Sequence, residues 1–293
     1  MEMQQVRYFL ALSRTLNFTR AAEECNVSQS ALTRAIQALE AELGGALLRR
    51  EHNRSHLTEL GKRMLPLMQR CFDSALTAKA LAQSIAKADV APLSVAVSHS
   101  VNVELLMAPI AEMFRAIPGL QLKLKHGGGA EILDLMKEGG VDIAVAGPLD
   151  DEWARLDRWA LFEEPFELAV RDDHLLAREN EVTLEKLQRY PLFAQVCCEM
   201  HTAAERMIEA RGVALAGMHE VVTHHDMAAL VQNGLGAAIL PRSSPRAENT
   251  RRLPIADFPL TRTVSVYAVA GRRRDPAATA LLNLLRATEF AAA

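Results

Sequence analysis

Histidine and cysteine side chains beyond residue 98 offer the widest choice of chemistry in this sequence, because both bind transition metals and cysteines also react with oxidants. The candidates are His99, His126, Cys197, Cys198, His201, His224 and His225. Their spacing matches no zinc signature, and adjacent cysteines rarely form a disulfide without strain. We therefore predict no metal site, and a metal- or redox-responsive protein stays an alternative.

Catalytic chemistry has weaker support. Ser98 and His99 are neighbours, but the sequence has no GxSxG motif and no phosphate-binding glycine loop before a lysine. We predict that the chain is not an enzyme and uses no cofactor. An enzyme with a fused DNA-binding segment stays a further alternative.

Residues 17–50 have the pattern of two helices joined by a tight turn, with apolar residues at helical spacing on one inward face. The first helix is predicted over about Phe18–Cys25 and is closed by Asn26, and Ser28 can cap the second. Such a helix-turn-helix places its second helix in a DNA major groove, whereas a solvated amphipathic helix is the alternative. The predicted DNA-binding residues are Arg20, Ser28, Gln29, Ser30, Thr33, Arg34 and Gln37.

The following stretch, ALLRREHNRSHLTELG, is basic and rich in turn formers, which predicts a β-hairpin wing. Arg50, Arg54 and His56 are predicted to contact the phosphate backbone or the minor groove. Residues 1–70 contain ten Lys and Arg against seven Asp and Glu, while the net charge of the whole chain is −3. A slightly basic N-terminal end on an acidic body suits DNA binding.

A long helix is predicted from Thr58-Glu59 to about Ala86. Positions 60, 64, 67, 71, 74, 78, 81 and 85 follow the four-three spacing of a coiled-coil seam, with one polar break. Pro66 lies inside this helix, but the apolar stripe continues past it. Because the chain offers no neighbouring helix of similar length, we predict that the stripe packs on the same helix of a second subunit.

Beyond a hinge at residues 87–92, predicted strands and helices alternate, which indicates an α/β domain with a parallel sheet. Ligands of such sheets bind beyond the carboxyl ends of the strands, where helix N-termini present N–H groups. Helix N-termini that converge there favour a small anion as the ligand, typically a carboxylate. The loops contain glycines, hydroxyls and histidines but no arginine to clamp it. The predicted effector-binding residues are Ser98, His99, Ser100, Asn102, His126, Gly128, Val196, Cys197 and His224.

The sequence contains no run of the ~18 apolar residues that a membrane span needs, and its start lacks a signal-peptide pattern. We therefore expect a cytoplasmic protein with no membrane partner. The missing signal-peptide pattern and the presence of residues 1–86 also argue against a solute-binding protein of a transport system.

The run FTRAAEECNVSQSALTRAIQALEAELGGALLRR resembles the N-terminal signature of the LysR-type transcriptional regulators. The shared elements are an aromatic residue before paired alanines, V-S-Q at the turn, A-L-[ST]-R on the second helix and L-E-x-E-L-G at its end. Ser30 stands where the family usually has proline. HDMAALVQNGLGAAILP (225–241) and DHLLA (173–177, with Leu175 in place of proline) resemble later landmarks, so the resemblance covers nearly the whole chain.

The resemblance implies an effector-controlled transcriptional regulator, activator or repressor, with an α/β fold. The implied parts are a winged helix-turn-helix over residues 1–58, a dimerisation helix over 59–87, and a periplasmic-binding-protein-like domain over 88–293, with lobe I at about 93–163 and 266–293 and lobe II at about 164–265. Its partners would be double-stranded promoter DNA, an effector in the inter-lobe cleft and further copies of the chain, as a dimer and tetramer. RNA polymerase is a further candidate partner. The family's peroxide sensors use cysteines several residues apart, so their mechanism does not carry over to Cys197 and Cys198.

Overall fold

The computed structural model describes residues 1–51, 54–87, 91–149, 153, 155–213 and 218–290, and for residues 50, 51, 54, 77 and 80–87 it describes the backbone alone. The chain forms an N-terminal helical module with a two-stranded hairpin, one long helix and a C-terminal α/β domain of two lobes. This architecture confirms the predicted fold class. In the described part of the chain, no helix combines the length and the hydropathy that a membrane-spanning segment needs.

The N-terminal module contains α1 (Met3–Thr15), α2 (Phe18–Cys25), α3 (Gln29–Leu43) and the hairpin strands β1 (Leu48–Glu51) and β2 (Arg54–Leu57). α2 begins where Asn17 Oδ1 accepts hydrogen bonds from the backbone N–H groups of Thr19 and Arg20 at 2.9 and 3.1 Å. It ends at Asn26, whose φ of 56° lies in the left-handed region that asparagine tolerates. These local side chains set the turn, and the predicted helix-turn-helix is confirmed.

The three helices enclose one apolar core. Val6, Phe9, Leu12, Leu32 and Leu39 are each 0% exposed within it. Full burial of an apolar side chain of this kind stabilises a fold by roughly 1.5–3 kcal/mol. The core therefore fixes one face of α3 against α1 and leaves the opposite face free for contact with another molecule.

The long helix α4 (Glu59–Lys87) continues past Pro66 as predicted. Its apolar stripe has two different environments along its length. Leu60 and Met64 pack against the core of the N-terminal module. Leu67 is 47% exposed, and Cys71 one turn later is also exposed. The chain itself therefore covers only the start of the stripe among the residues whose side chains are described.

The C-terminal domain folds as two lobes. Lobe I contains β3 (Ala91–Ser98), a 3₁₀ turn (Val103–Leu106), α5 (Met107–Ala116), β4 (Leu120–Gly127), α6 (Gly129–Glu138), β5 (Ile143–Ala146) and the first part of β6 (Leu156–Arg171). Lobe II contains the rest of β6, a 3₁₀ turn (Leu175–Arg178), α7 (Leu184–Leu187), β7 (Leu192–Gln195), α8 (His201–Glu209), β8 (Met218–Val221), α9 (His224–Gln232), β9 (Ala237–Pro241) and β10 (Thr250–Pro254). The chain then returns to lobe I through β11 (Thr261–Val269) and α10 (Pro276–Ala287).

The strands of both lobes form one connected set in the order β4-β3-β5-β11-β6-β9-β7-β8, with β10 paired to β6. β3 pairs in parallel with β4 and β5, as the predicted βαβαβ order requires. β11 is antiparallel to both β5 and β6, so the sheet is mixed rather than wholly parallel. The carboxyl ends of β3 and β4 therefore share one edge of lobe I, beside lobe II.

β6 and β11 connect the lobes. Residues 156–165 of β6 pair with β11, and residues from Phe166 onwards pair with β9 and β10 of lobe II. The chain re-enters lobe I at Thr261, ahead of the boundary at 266 that the sequence suggested. The sequence TRRLP does not indicate the strand β10, because it combines two arginines with a proline.

α4 packs against α10 of the same chain. Asp73 of α4 is fully buried, and its Oδ1 lies 3.4 Å from Arg286 Nη1. Arg70 pairs with Glu289 just beyond the end of α10. α10 has 12 residues against 29 in α4, so it is not a helix of similar length, but it gives α4 a helical neighbour within its own chain that the sequence did not indicate. The contact joins the long helix directly to lobe I. The predicted packing of the stripe on a second subunit stays a prediction.

Candidate DNA-binding surface and effector site

The face of α3 that points away from the core is polar. Leu32, Ile36 and Leu39 point inward and are at most 2% exposed. The outward residues Ser28, Gln29, Ser30, Arg34 and Gln37 are exposed, Thr33 is half-buried, and Arg20 is exposed on α2. The division into a buried and an exposed face follows the predicted pattern, and it leaves these hydrogen-bonding groups accessible to the edges of bases. Their individual roles on DNA stay predictions.

Ser28 has a second task in the fold. Its Oγ accepts a hydrogen bond from the backbone N–H of Ala31 at 3.2 Å, and it lies 3.1 Å from Ser30 Oγ. The hydroxyl therefore caps the first turn of α3, as its position before the helix predicted. A cap of this kind fixes where α3 begins, so Ser28 also positions the DNA-facing residues that follow it.

The wing is an antiparallel hairpin with Arg49 paired to His56 and Arg50 paired to Ser55. His56 is half-buried. The side chains of Arg50 and Arg54, both predicted to bind DNA, lie outside the described residues. The predicted hairpin is confirmed, whereas the contacts of its arginines are not tested.

A cleft of about 530 Å³ lies between the loops of the two lobes. Four of the predicted effector-binding residues line it, namely His99, Asn102, His126 and His224. Thr223, His225, Val101, Val103, Ala228 and Pro245 complete the lining. Its volume falls in the range of pockets that bind small metabolites. Lobe I and lobe II both contribute to the cleft, so a ligand here would contact both.

The cleft is neutral to electropositive. Burial, with Arg262 and Arg252 nearby, lowers the pKa of His224 to about 4. Burial and the neighbouring His99 also lower the pKa of His126, and the two rings stack with their centroids 6.0 Å apart. Among the described residues, no aspartate or glutamate lines the cleft. Neutral imidazoles backed by guanidinium groups can donate hydrogen bonds to an anion without a competing carboxylate.

Ser98 and Ser100, two further predicted effector residues, lie behind the cleft rather than on its surface. Both are 0% exposed, and their Oγ atoms are 3.0 Å apart. Arg262 of β11 donates to Ser100 Oγ at 2.6 Å and to the Ser100 carbonyl at 2.7 Å. The loops themselves contain no arginine, but β11 supplies one from a distant part of the chain.

Arg262 is at the centre of a buried polar network. Its side chain is 0% exposed, and its Nε donates to Glu164 Oε1 at 3.0 Å. Glu164 also accepts hydrogen bonds from Ser243, and Asn102 Nδ2 donates to the Ser243 carbonyl at 3.1 Å. One feature of the sequence indicates that Arg262 faces inward. It occupies every second position of the strand together with the apolar Val264, Val266 and Ala268, a spacing that points all four side chains to the same face. The sequence did not indicate the polar partners of Arg262.

The remaining predicted effector residues lie in the turn after β7 and in the loop opposite it. A Cβ added to Gly128 would be 3.7 Å from Cys197 Cβ, and Val196 is half-buried. Gln195 Nε2 at the end of β7 donates to the His99 carbonyl at 2.9 Å. These residues therefore form the contact between the lobes beside the cleft.

The two adjacent cysteines are poorly suited to sensing oxidants. Burial raises the pKa of the Cys197 thiol to about 11, and its Sγ donates to the Val222 carbonyl at 3.0 Å. Cys198 is buried, and burial raises its pKa as well. The reactive form of cysteine is the thiolate, which these environments disfavour. Within the part of the chain that the structure describes, no three His, Cys, Asp or Glu side chains are grouped as a metal site.

Comparison with known proteins agrees with this architecture. The family profile described as "Bacterial regulatory helix-turn-helix protein, lysR family" matches residues 3–62, and that described as "LysR substrate binding domain" matches residues 87–289. The probable HTH-type transcriptional regulator LrrA of Synechococcus elongatus is 29% identical over 98% of this chain and 97% of its own length. The HTH-type transcriptional regulator IlvR of Caulobacter vibrioides is 27% identical over 98% and 97%.

Among solved structures, a full-length OxyR variant from Pseudomonas aeruginosa superposes with a TM-score of 0.57 at 25% identity, over 97% of this chain and 99% of that one. A crystal structure of CbnR, described as a LysR family transcriptional regulator, gives a TM-score of 0.56 at 22% identity over 97% and 100%, a likeness of fold. The helix-turn-helix, the two-lobe domain and both profile matches lead to one conclusion. The chain belongs to the LysR family of transcriptional regulators, with an N-terminal DNA-binding module and a C-terminal effector-binding domain.

Proposed function

We propose that this regulator responds to a small carboxylate bound in the cleft between its lobes. The observation that carries the proposal is the lining of the cleft: His99, His126 and His224 surround about 530 Å³, and none of its described lining residues is acidic. Arg262 lies close enough to His224 to lower the pKa of that histidine. An anion would therefore meet several hydrogen-bond donors and no acidic side chain among the described lining residues.

Effector binding would act through the relative pose of the lobes. A ligand shifts a conformational equilibrium only if it binds one pose better than another. The cleft draws His126 from lobe I and His224 from lobe II, so a bound anion favours the pose in which both reach it. Lobe I is joined to the long helix through Arg286 and Asp73. A change of pose would thereby reach α4 and the DNA-binding module.

Isothermal titration of the full chain with small carboxylates tests the proposal. We expect His224→Gln to weaken the best carboxylate by about 10–100-fold, because a hydrogen bond to a charged group contributes ~1.5–3 kcal/mol. A bound anion would raise the pKa of His224 from about 4, so the affinity should rise as the pH falls from neutrality.

His219→Gln is the matched control, because His219 is an exposed histidine of lobe II that does not line the cleft. It should leave the affinity unchanged. Binding of neutral or cationic compounds but of no carboxylate would overturn the proposed ligand class.

We also propose that the chain forms a homodimer through the exposed part of the α4 stripe, and that dimers assemble further into a tetramer. Leu67, a large apolar residue of this stripe, is 47% exposed, and Cys71 one turn later on the same stripe is exposed as well. On α5, Phe114 and Met107 are 53% and 41% exposed and offer a second apolar surface. Two separate apolar surfaces are what a tetramer made of dimers requires.

Leu67→Asp tests the dimer interface. A carboxylate buried in an apolar seam would lose its hydration without gaining a partner, so we expect the dimer to dissociate. Sedimentation equilibrium should show a fall in mass to half of the wild-type oligomer or less. Lys62→Asp, at an exposed position on another face of α4, should leave the mass unchanged. An intact Leu67→Asp assembly would remove this stripe from the interface.

We propose finally that the protein acts by binding alone. Ser98, the candidate nucleophile of an enzyme, is 0% exposed and its hydroxyl lies 3.0 Å from that of Ser100. A serine held in this way has no access to a substrate carbonyl.

A further inference from the structure

Glu199 brings a carboxylate from lobe II into lobe I. It lies in the turn between β7 and α8, and its side chain is only 3% exposed. Ser100 Oγ donates to Glu199 Oε2 at 2.7 Å, and Arg262 Nη1 lies 3.8 Å from the same oxygen. A hydroxyl and a guanidinium that converge on one carboxylate oxygen form an anion-binding arrangement.

The backbone of lobe I leaves room for this carboxylate. A Cβ added to Gly147 would lie 2.9 Å from Glu199 Oε2, closer than real Cβ atoms approach such an atom. A Cβ added to Gly129, at the start of α6, would lie 3.3 Å from Glu199 Cγ. Glycine at these two positions therefore lets the backbone come close to the carboxylate. The recess fits a carboxylate held by Ser100 and Arg262.

Glu164 and Glu199 share Arg262 but are bound to different extents. Glu164 accepts from the backbone N–H of Ser243 at 2.7 Å and from its Oγ at 3.1 Å, in addition to Arg262 Nε. Glu199 accepts one hydrogen bond, from Ser100, and its Oε1 is buried without a hydrogen-bond partner among the described residues. A buried carboxylate oxygen that lacks a partner costs free energy. Glu164 is thus built into the fold, whereas Glu199 is the weaker occupant.

We propose that the recess formed by Ser100, Arg262, Gly129 and Gly147 is a carboxylate-binding site that the chain fills with its own Glu199. This internal ligand holds lobe II against lobe I without an effector. A free carboxylate that uses both oxygens can compete for the recess and release the lobe contact. The recess lies outside the lining of the histidine-lined cleft, although Arg262 is near both. Its test follows the Glu199 side chain, so it can succeed or fail whatever binds in the cleft.

Chemical rescue of Glu199→Ala in the full chain tests the proposal. The variant empties the recess and leaves Arg262 with one carboxylate, so we expect a melting temperature about 5 °C below that of the wild type. Sodium acetate or formate should restore most of the loss, because either ion can enter the vacated space. Sodium chloride at equal ionic strength, acetamide and methylammonium should not. The wild type should gain much less from acetate, since its recess is filled.

Two variants serve as controls. Glu199→Gln keeps the shape of the side chain, so it should fill the recess and show no rescue by acetate. Glu205→Ala removes a carboxylate from α8 that is 40% exposed and pairs with His201, and it should respond to acetate as the wild type does.

The proposal fails if acetate stabilises Glu199→Ala no more than it stabilises the wild type, or if chloride works equally well. If Glu199→Ala does not fold in chloride, its refolding yield replaces the melting temperature as the readout. Refolding in acetate or formate but not in chloride then supports the proposal. A variant that remains unfolded in all of these salts overturns it.

Discussion

Replacing Arg262 with methionine should lower the free energy of unfolding of the effector domain by about 3–5 kcal/mol, the usual cost of removing one partner from a buried ion pair. Methionine fills much of the volume but leaves Glu164 without its guanidinium, although Ser243 still donates to it. It also removes both hydrogen bonds from Arg262 to Ser100. Urea denaturation of the full chain, followed through the transition of the α/β domain, measures the loss.

Arg158→Met is the matched control, because Arg158 is an exposed arginine on β6, the partner strand of β11. It should change the unfolding free energy by less than ~0.5 kcal/mol, as surface substitutions usually do. Adding Glu164→Gln to Arg262→Met should recover part of the loss, since the uncompensated charge is then gone. A loss below ~1 kcal/mol for Arg262→Met would show that the network is not a structural element of the domain.

The position of Arg262 opposite Glu164 explains why the sequence did not reveal this network. The two residues are directly paired in the β11–β6 ladder. Their pairing depends on the register of two strands almost a hundred residues apart, and no local pattern fixes that register. Glu199 joins them only because the turn after β7 meets lobe I. The structure places the predicted effector residues Ser98 and Ser100 in the packed contact between the lobes, and their part in effector binding stays a prediction.

The helix-turn-helix, by contrast, is determined by short-range signals. Asn17 caps α2, Asn26 takes the left-handed conformation and Ser28 caps α3, all within twelve residues of one another. Each of these signals acts through a side chain and a backbone group a few positions away. The bounds predicted for α2 are those found in the structure, because capping requires no knowledge of distant strands.

For α4, the sequence predicted the helix but not the residues that it packs against. The apolar spacing predicted the helix and its continuation past Pro66, both of which are found. It could not indicate that Asp73, a charged residue, would be buried against Arg286 of α10. An ion pair between residues over two hundred positions apart leaves no periodic signal. Burial raises the pKa of Asp73 while Arg286 and Gln69 oppose that rise, so the contact couples a charge on the long helix to lobe I.

Arg34→Ala should weaken binding to the specific DNA site by about 1–3 kcal/mol, or about 5–150-fold in Kd, if Arg34 reads a base edge. Arg34 is exposed on the outward face of α3, whose inward face is fixed by Leu32 and Ile36. The substitution should therefore leave the fold intact. Fluorescence anisotropy can compare a duplex selected by the wild-type protein from random sequences with an unrelated duplex of equal length.

The ratio of the two affinities decides the role of Arg34. A loss of affinity for the selected duplex alone identifies a base contact, because the phosphates of the two duplexes are the same. Equal loss on both duplexes, with the salt slope reduced by about one, identifies a phosphate contact and contradicts the assignment to a base. Arg115→Ala, an exposed arginine of α5 in the effector domain, controls for the loss of one positive charge. Since Ser28 and the apolar core already set the pose of α3, a specific loss at Arg34 would show that this fixed pose, and not net charge, selects the sequence.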